Sequence, residues 1–573
     1  MRCVLIILGV FLVGQSALLA QQNSGIEAIF AFLGSDNPEE LDSDEVARLE
    51  HLLEYPVSIN GSNKSQLLSC GLFSAYQIAV LEDYIVRHGI VGSFMELSLL
   101  DGFGEEFVRK AAPFVTLSTR MANPSNQNYG VKNELACKGT YTLRENESDD
   151  LSYAMKYRVD VKGRLAGVFS ASRTTAAESW APSAYSGSIS LRLAKIPLRL
   201  IAGDFNARFG QGLVLWSNSF ITSVTTIDTF MKNPTGISQP WSFTGSNTLT
   251  GVAADYNAGK FLISAMTAFH GIKTSTGMPR NIQIMPAANI SWFCKYGQIS
   301  MTNVMFLPLV RGSFDLIFKT GLDAAFCIRG VNLFGELAHD WSTMLSSVAV
   351  GSRFGMGKHT EMAVLVRALQ NEEYECAVSG SFTFGKKFKG SYLSDVTYYP
   401  ISKDNADSFS LQLKSQIVCE ISFCEKWKMK FRLSERIRTW GLPFRTDARA
   451  DISFTSDPFT ATMRVNVLNC DASGILSYLE GGFSMQKITV YLRQGIFFID
   501  DWDDRIYVYE RDSPGSFNVP AMYGRGLWTS LCSSMKIRQS LRVYARASYV
   551  SYPFMQKKKP GKAELKLQLQ YRF

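Results

Sequence analysis

The mature part of this 573-residue chain has no long apolar run. After residue 20, no stretch approaches the roughly 18 uninterrupted apolar residues that a transmembrane helix needs. A membrane protein built from helices is therefore excluded. If the chain enters a bilayer, strands must cross it.

Residues that build catalytic or metal sites are also scarce. The chain has five histidines, and none stands in a nucleophile or metal-ligand constellation. We interpret His339 beside Asp340 as a polar pair at the end of a strand and not as a functional site. The acidic residues of the run 500–504 could hold Ca²⁺, but a solvated loop or pairing with Arg505 is the preferred interpretation. No P-loop or dinucleotide fingerprint is present, so we expect no enzyme, no metal and no cofactor.

The cysteines do not form a framework either. Of the ten cysteines, Cys3 lies in the leader and nine are scattered without regular spacing. We interpret them mostly as small apolar packing residues. A bond between Cys419 and Cys424 in an oxidising compartment is left as an alternative.

Residues 1–20 have the layout of a cleavable secretory signal. Arg2 precedes an apolar run from Cys3 to Val13, and small residues follow up to Ala20. The run is too short to cross ~30 Å of hydrocarbon as a helix. We therefore expect export from the cytoplasm and removal of residues 1–20.

The two halves of the mature chain differ in charge. Residues 21–120 contain fifteen acids and six bases, a charge of −9, whereas the rest carries +16. Residues 121–135 between them are polar and aperiodic, which predicts a linker. A sign difference of this size bears on partner choice and on docking of one half on the other.

From residue 136 to 573, short runs alternate apolar and polar residues, as strands do. In the last run, Leu565, Leu567 and Leu569 share one face with the terminal Phe573. Alternation alone fits a soluble sandwich, a propeller or a membrane barrel. Export, more than four hundred residues of unbroken pattern and the terminal aromatic favour the barrel. We predict a mainly β fold, an antiparallel outer-membrane β-barrel of roughly 22–24 strands, preceded by a small all-α domain.

On the barrel prediction, the polar face of many strands repeats Lys or Arg. Two interpretations stay open: inward acids such as Asp204, Glu435 and Glu510 balance these charges, or the lumen attracts anions or an acidic plug. The candidate basic lumen comprises Arg192, Lys428, Lys430, Arg432, Arg464, Arg493, Arg542, Arg546, Lys566 and Arg572.

The predicted helices of the acidic domain carry a recognisable pattern. It resembles the tandem helix-hairpin-helix domain of ComEA-like proteins over about 65 residues, 56–113 and their flanks. The matching residues are Pro56, Ile59, Asn60, Leu68, Gly71, Leu72, Gln77, Ile78, Tyr84, Gly89, Phe94, Leu97, Gly102, Phe103, Gly104 and Pro113.

The resemblance implies that the hairpins at Gly71–Leu72 and Gly102–Phe103–Gly104 contact an anion or DNA backbone through exposed amides. Two features weaken this. Glu105 and Glu106 follow the second hairpin directly, and a domain at −9 repels phosphate. A structural role, docked at or inside the basic barrel, is an equal alternative.

Two barrel segments are also similar to bacterial proteins that join such a helical domain to an outer-membrane barrel. The resemblance implies architecture, not activity. Its residues are Gly203, Asp204, Phe205, Phe209, Gly210, Gln211, Gly212, Leu213, Trp216, Tyr509, Glu510, Pro520, Tyr523, Gly524 and Gly526.

Three functions follow as hypotheses. The first is a channel or transporter with a periplasmic helical domain, taking up DNA or another anion. The second is a non-permeating barrel that is plugged by, or anchors, its acidic domain and recruits a periplasmic protein. The third, a barrel enzyme, is least favoured. Expected partners are outer-membrane lipid and, through the strand ending at Phe573, the barrel assembly machinery.

Overall fold

The computed structural model describes most of residues 25–573. The described residues are 25–34, 38–118, 130–145, 150–161, 163–173, 179–193, 195–217, 224–243, 248–270, 283–308, 316–357, 359–370, 373–385, 387–401, 403, 409–442, 444–555 and 559–573. The predicted signal, residues 1–20, lies outside them, as does most of the predicted linker.

Six short helices form the amino-terminal segment, residues 25–118, which we call the helical segment. They are α1 (Gly25–Leu33), α2 (Ser43–Glu54), α3 (Lys64–Ser69), α4 (Ala75–His88), α5 (Phe94–Ser98) and α6 (Gly104–Ala111), with 3₁₀ turns at Pro38–Glu40 and Ala112–Phe114. Strands β1 (Val57–Ser58), between α2 and α3, and β2 (Val115–Thr116), after the last 3₁₀ turn, pair in parallel.

Local sequence explains where these helices begin. Asn63 with Gln66, and Ser74 with Gln77, form reciprocal capping boxes at α3 and α4, satisfying amides that a helix start leaves free. Apolar residues at helical spacing then form a core around Leu49, which is fully buried. The sequence-based prediction of helices in this region is confirmed.

The remaining elements are β-strands. They are β3 (Val131–Arg144), β4 (Asp150–Val161), β5 (Leu165–Arg173), β6 (Ala184–Arg192), β7 (Leu198–Arg208), β8 (Gly236–Ser238), β9 (Leu249–Ala258), β10 (Phe261–His270), β11 (Gln283–Cys294), β12 (Gly297–Pro308), β13 (Ile317–Ile328), β14 (Val331–Asp340), β15 (Leu345–Gly355), β16 (Thr360–Leu369), β17 (Glu373–Phe384), β18 (Phe388–Tyr399), β19 (Ser410–Ser422), β20 (Trp427–Arg438), β21 (Phe444–Ser456), β22 (Phe459–Asn469), β23 (Ser473–Ser484), β24 (Ile488–Ile499), β25 (Ile506–Tyr507), β26 (Ala521–Met522), β27 (Gly524–Arg538), β28 (Leu541–Ser551) and β29 (Lys562–Arg572).

Twenty-four of these strands close an antiparallel barrel, each hydrogen-bonded to its neighbours in chain order. The ring closes where β29 pairs with β3, with Arg572 opposite Glu134. Closure leaves no unpaired edge, which a bilayer would penalise heavily. Strand β8 pairs only with β7, and β25 with β26, so these three lie outside the ring. The predicted fold class and strand number are confirmed.

Side-chain orientation matches the barrel prediction. On β29, Leu565 and Leu567 are 50% and 51% exposed, whereas Gln568 and Gln570 are 2% and 5% exposed. The apolar face therefore points outward, where lipid would cover it, and the polar face points into the barrel. In a soluble sandwich the leucine face would be the buried one.

One predicted boundary differs from the structure. Strand β3 begins at Val131, inside the range 121–135 predicted as a linker, and not at residue 136. The first residues of β3 are mostly polar and include Lys132 and Glu134. Because these residues are polar on both faces, the sequence shows no apolar–polar alternation there. The backbone is nevertheless part of the strand, since Asn133 and Phe573 exchange backbone hydrogen bonds.

The two ends of the barrel differ. The end that carries the start of β3 and the end of β29 has short turns, such as the two-residue turn Arg329–Gly330. Both of its residues have positive φ, 53° and 82°, as a type I′ hairpin requires. The opposite end has the long connections, residues 209–248 and 500–523 among them. We call them the short-turn end and the long-loop end.

Candidate functional site

The interior of the barrel is the candidate site, because the helical segment contacts inward side chains on opposite walls. Glu39 accepts hydrogen bonds from Arg464 Nη1 on β22 and from the Tyr509 amide, both at 3.0 Å. Its other oxygen lies 3.4 Å from Arg449 Nη1 on β21. All three charged side chains are at most 10% exposed.

The opposite wall is contacted by α3. Lys64 Nζ donates to the Gly259 carbonyl at 2.7 Å, and Ser65 Oγ donates to Asp255 Oδ2 on β9 at 2.9 Å. Strands β9 and β21 are twelve positions apart in the ring of twenty-four. A segment that contacts inward residues on both must therefore lie across the interior.

Further ion pairs fix the two ends of α2. At its start, Asp44 Oδ2 lies 3.1 Å from Arg208 Nη2, which belongs to the long-loop end of β7. At its end, Glu54 pairs with Arg542 at 2.9 Å and with Arg572. Helix α2 thus extends from the long-loop half of the barrel toward the short-turn end.

The first long connection, residues 209–248, also contacts the interior. The carboxylate of Glu336 on β14 accepts the amides of Gln211, Leu213 and Val214 at 2.6 to 3.2 Å. We call residues 209–248 the first inward loop. Its segment 224–231 places apolar side chains against a strip of inward apolar residues on the wall: Phe334, Ala363, Leu365, Ala377 and Leu393.

Asp228 in that segment joins three parts of the molecule. Its carboxylate lies 2.7 Å from Arg353 Nη1 on β15, and Arg353 also pairs with Glu361 at 2.7 Å. Gly34, which ends α1 with φ of 62°, packs so closely on Asp228 that any side chain there would overlap it. The barrel wall, the first inward loop and the helical segment therefore meet at Asp228.

The second inward loop, residues 500–523, closes the interior further. Glu510 accepts the Trp528 indole N–H at 3.0 Å and pairs with Arg546 at 2.8 Å. Toward the helical segment, the Tyr509 ring lies edge-on to Phe30, with centroids 5.3 Å apart. The Gly515 amide donates to Glu50 Oε2 at 2.7 Å.

Two buried acids of the helical segment titrate differently because their surroundings differ. Burial alone would raise the pKa of Glu39, but Arg464 and Arg449 lower it to about 2. Burial, with a smaller contribution from the nearby acids Glu54 and Asp512, raises the pKa of Glu50 to about 8, and the Gly515 amide and Lys156 lower it only in part. At neutral pH Glu39 is charged and Glu50 is protonated.

Most residues of the predicted basic lumen are paired with acids. Arg432 pairs with Asp447, Arg464 with Glu39 and Asp451, Arg493 with Glu480, Arg546 with Glu510 and Glu564, and Lys566 with Asp512; Arg542 and Arg572 share Glu54. Arg192 Nη1 donates to the Gly163 carbonyl at 3.0 Å, and Lys428 and Lys430 line the cavity described next.

The structure adds inward arginines that the sequence analysis missed, namely Arg199, Arg208, Arg449 and Arg511. For Arg449 a signal existed. It shares one face of β21 with Arg445, Asp447 and Asp451, because residues two apart on a strand point to the same side. A face of such polar residues is expected to point into the barrel. Arg511 lies in a connection, where parity carries no information.

A cavity of about 1890 Å³ remains between the helical segment and one side of the wall. Its lining includes the turns at residues 295–296 and 329–330 of the short-turn end and residues 224–233 of the first inward loop. Twelve Lys or Arg and nine Asp or Glu line it, an excess of three positive charges. The cavity is therefore large, polar and weakly attractive to anions.

The two predicted hairpin contacts lie in different environments. Gly71 has φ of 64°, and a side chain there would overlap Arg48 and approach Thr235 of the first inward loop at 3.0 Å. Leu72 and Phe103 are buried. All five hairpin residues belong to the lining of the cavity, but Gly71 is buried too, whereas Gly102 and Gly104 are exposed. A side chain at Gly104 would meet open space. The structure thus covers the first hairpin and leaves part of the second accessible.

The other chemical groups singled out in the sequence have ordinary surroundings. Cys419 and Cys424 are free thiols. Asp500 pairs with Arg525 at 2.6 Å, and Asp504 accepts the amides of Cys470 and Ala472 at 2.7 Å. Within the described ranges, no group of three or more metal-ligating side chains converges.

The same part of the chain contains no helix that is long and apolar enough to span a membrane.

No protein-family model and no curated protein matches this sequence. Solved structures that share a large β-barrel include a siderophore receptor, PirA, from Pseudomonas aeruginosa, with 7% identity and a TM-score of 0.40, covering 78% of this chain and 81% of that one. The copper transporter OprC has 6% identity and a TM-score of 0.40, covering 77% and 80%. OccAB4 from Acinetobacter baumannii has 9% identity and a TM-score of 0.28, covering 79% and 100%. Similarity at this level says nothing about cargo or partners.

Proposed function

We propose that the protein is an outer-membrane transporter that is closed at rest, with the helical segment as its internal plug. The observation that carries this proposal is the set of buried contacts made by Glu39, Glu54 and Ser65 to opposite walls of the barrel. A plug explains why the acidic segment and the basic barrel have opposite charge.

We assign the short-turn end to the periplasm. Outer-membrane barrels have short periplasmic turns and longer extracellular loops, and Val131 and Arg572 place both chain ends of the barrel at the short-turn end. On this assignment the helical segment enters from the periplasm. The two inward loops close the barrel from outside.

The cavity marks the route we propose for cargo. Its lining combines turns at the periplasmic end with residues 224–233 of the first inward loop, which Asp228 and Arg353 hold against the wall. Cargo would pass when that segment and the helical segment move. The excess of positive charge in the lining favours a small anion over a cation.

DNA is the less supported cargo. In the first hairpin, the Gly71 amide already donates to the Leu68 carbonyl at 3.0 Å and Leu72 is buried, so this hairpin offers a phosphate backbone little without rearrangement. Glu105 and Glu106 flank the second hairpin. The DNA alternative is tested by measuring the binding of duplex DNA to the full chain at several salt concentrations, because phosphate contacts weaken steeply with salt.

Planar-bilayer conductance tests the main proposal. We would compare the full chain with variants that lack residues 25–118, that replace residues 224–231 by a Gly-Ser linker, or that combine both changes. We expect almost no conductance from the full chain, partial conductance from each single variant and the largest from the combination. A salt gradient across the combined variant should show anion preference.

Two controls keep the result interpretable. Residues 341–344 form an exposed turn at the long-loop end, and replacing them by a Gly-Ser linker of the same length should leave conductance unchanged. Resistance of the folded barrel to SDS before heating confirms that each variant folds. A combined variant that is folded yet closed would contradict the transporter proposal.

The same outcome would support the second candidate, a non-permeating barrel that displays its plug to a periplasmic protein. The specific observation in its favour is the number of buried ion pairs that Glu39, Glu54 and Asp44 make, which hold the helical segment firmly.

A further inference from the structure

The eleven connections between strands at the short-turn end are strongly basic. By sequence they contain eleven Lys or Arg and two acids, Glu425 and Asp457. The two strand residues on either side of each connection add only Asp160 and Glu361 as further acids. The connections of the long-loop end contain sixteen acids and ten bases, so the basic character belongs to one end of the barrel.

Five of these bases lie on five different turns and are exposed. They are Arg164, Lys195, Lys387, Lys426 and Lys487, and we call them the basic collar. Among the residues that the structure describes, none of the five side chains makes a hydrogen bond or an ion pair. Their charges are therefore available to an anionic partner, whereas most charges inside the barrel are already paired.

The helical segment neutralises little of this charge. Its helices α3 and α4 pack against β9 and against β11 to β13, so they adjoin the turns that carry Lys260, Lys295 and Arg329. The nearest part of the helical segment, residues 83–110, contains five acids and three bases. It therefore offsets only two of the nine excess positive charges of the eleven connections.

The basic collar borders the apolar belt that faces lipid. Lys426 directly precedes Trp427, and Lys487 directly precedes Ile488. Both apolar side chains are exposed on the outward faces of their strands. Aromatic residues such as Trp427 mark the boundary between hydrocarbon and headgroups in transmembrane barrels. The collar therefore lies at the level of lipid headgroups, and its long side chains can reach their phosphates.

The spread of the basic collar around the barrel argues for lipid as its partner. Its five turns are distributed over sixteen consecutive strands of the ring, from β17 through β29 and β3 to β7. One protein would contact a single side of so wide a barrel, whereas lipid surrounds all of it. Among lipids, anionic headgroups attract Lys and Arg near the surface most strongly.

We infer that the basic collar binds the phosphate-bearing headgroups of anionic phospholipids in the leaflet at the short-turn end. The orientation proposed above makes this the periplasmic leaflet. The preference for an anionic headgroup depends neither on that orientation nor on conductance through the barrel. The inference can therefore fail while the transporter proposal stands, and the reverse.

Electron spin resonance of the full chain in phosphatidylcholine vesicles tests the inference. A trace of spin-labelled phosphatidylglycerol or phosphatidylcholine reports, through its motionally restricted fraction, how strongly each lipid associates with the barrel. We expect phosphatidylglycerol to associate about 3- to 5-fold more strongly at low salt, and this preference to shrink as salt rises. Equal association of the two lipids would overturn the inference.

Free phosphate is the other source of the same chemistry. Sodium phosphate and sodium chloride of equal ionic strength should weaken the lipid preference equally, because the collar binds headgroups at the bilayer surface. A much stronger effect of phosphate would show that the collar takes free phosphate instead, against the inference.

A matched pair of variants assigns the preference to the basic collar. Arg164→Gln, Lys426→Gln and Lys487→Gln together should remove most of it. The control, Lys403→Gln, Arg505→Gln and Lys559→Gln, removes the same charge at the long-loop end and should retain it. Resistance to SDS before heating confirms folding, and Lys426→Gln alone, with a smaller loss, replaces the triple variant if that does not fold. Equal losses in both variants would refute the assigned surface.

An acidic protein is the alternative occupant. Lipids and proteins that stay with the full chain after extraction from membranes in mild detergent are identified by mass spectrometry. We expect anionic phospholipid with the unmodified chain and less of it with the collar variant. Retention of an acidic protein in place of that lipid, lost in the collar variant, would contradict the inference.

Discussion

Glu39→Gln gives the sharpest test of how the helical segment is held. The change keeps the shape of the side chain and removes the charge that faces Arg464 and Arg449. The pKa of Glu39 falls from 4.5 to about 2 in the docked state, a difference of about 2.5 units. At about 1.36 kcal/mol per pKa unit, the charge stabilises docking by roughly 3 kcal/mol. Breaking one side of a buried ion pair costs about 3–5 kcal/mol in other proteins.

Hydrogen exchange of the full chain measures this directly. A loss of roughly 3 kcal/mol should raise the open population of α1 and α2 by about two orders of magnitude, and amide protection there should fall by that factor. Glu105→Gln is the matched control, since Glu105 is exposed and lies at the cavity border. It should leave protection unchanged.

The lowered pKa of Glu39 determines how its contribution to docking changes with pH. The contribution of Glu39 is complete above its undocked pKa of 4.5 and is lost as pH falls toward about 2. Equal protection in Glu39→Gln and the unmodified chain at neutral pH would refute the ion-pair account of docking.

Three further outcomes are expected. Glu50 has a raised pKa of about 8, so docking should weaken by roughly 2 kcal/mol between pH 6 and pH 8 as it ionises, and Glu50→Gln should remove that dependence in pH-corrected hydrogen exchange. Leu567→Arg puts a charge on the outward face and should destabilise the barrel by about 2–4 kcal/mol in urea unfolding from lipid, well beyond Leu567→Ala. Gly102→Ala places a methyl group 2.7 Å from the Tyr76 ring, whereas Gly104→Ala places one in open space, and both residues have a positive φ. Both substitutions should therefore strain the backbone, but Gly102→Ala should lower the hydrogen-exchange protection of the helical segment more than Gly104→Ala does, because it adds the clash with Tyr76.

The barrel wall was predictable because its signal is local. Successive residues of a strand such as β29 point alternately outward and inward, so the sequence alone predicts that Leu567 faces outward and Gln568 inward. Closure then follows from the need to leave no edge in hydrocarbon. Strand ends that extend past the apolar belt, such as Lys132 and Glu134 on β3, lack the pattern. The boundary of the barrel was therefore predicted five residues late.

The contents of the barrel were not predictable in the same way. The motif around Gly210 and Gln211 was visible in the sequence, but its function as an inward loop depends on Glu336, more than 120 residues away. The alternation of residues along each strand predicted that Arg464 and Arg572 point inward. It could not predict their acidic partners, because Glu39 and Glu54 come from the distant amino-terminal segment. Such partners depend on tertiary geometry and not on spacing.

The helical segment has a core of its own, and this bears on whether a plug could move. That core is built around Ile29, Leu49 and Ile78, and among its buried members only Leu262 and Phe293 come from the barrel. Contacts with the wall are instead mostly ion pairs and hydrogen bonds. Moving the segment as a unit would hydrate both partners of each pair, which costs far less than leaving one charge buried alone. Removing a single partner should therefore perturb docking strongly, while displacement of the intact segment stays reversible and exposes little apolar surface.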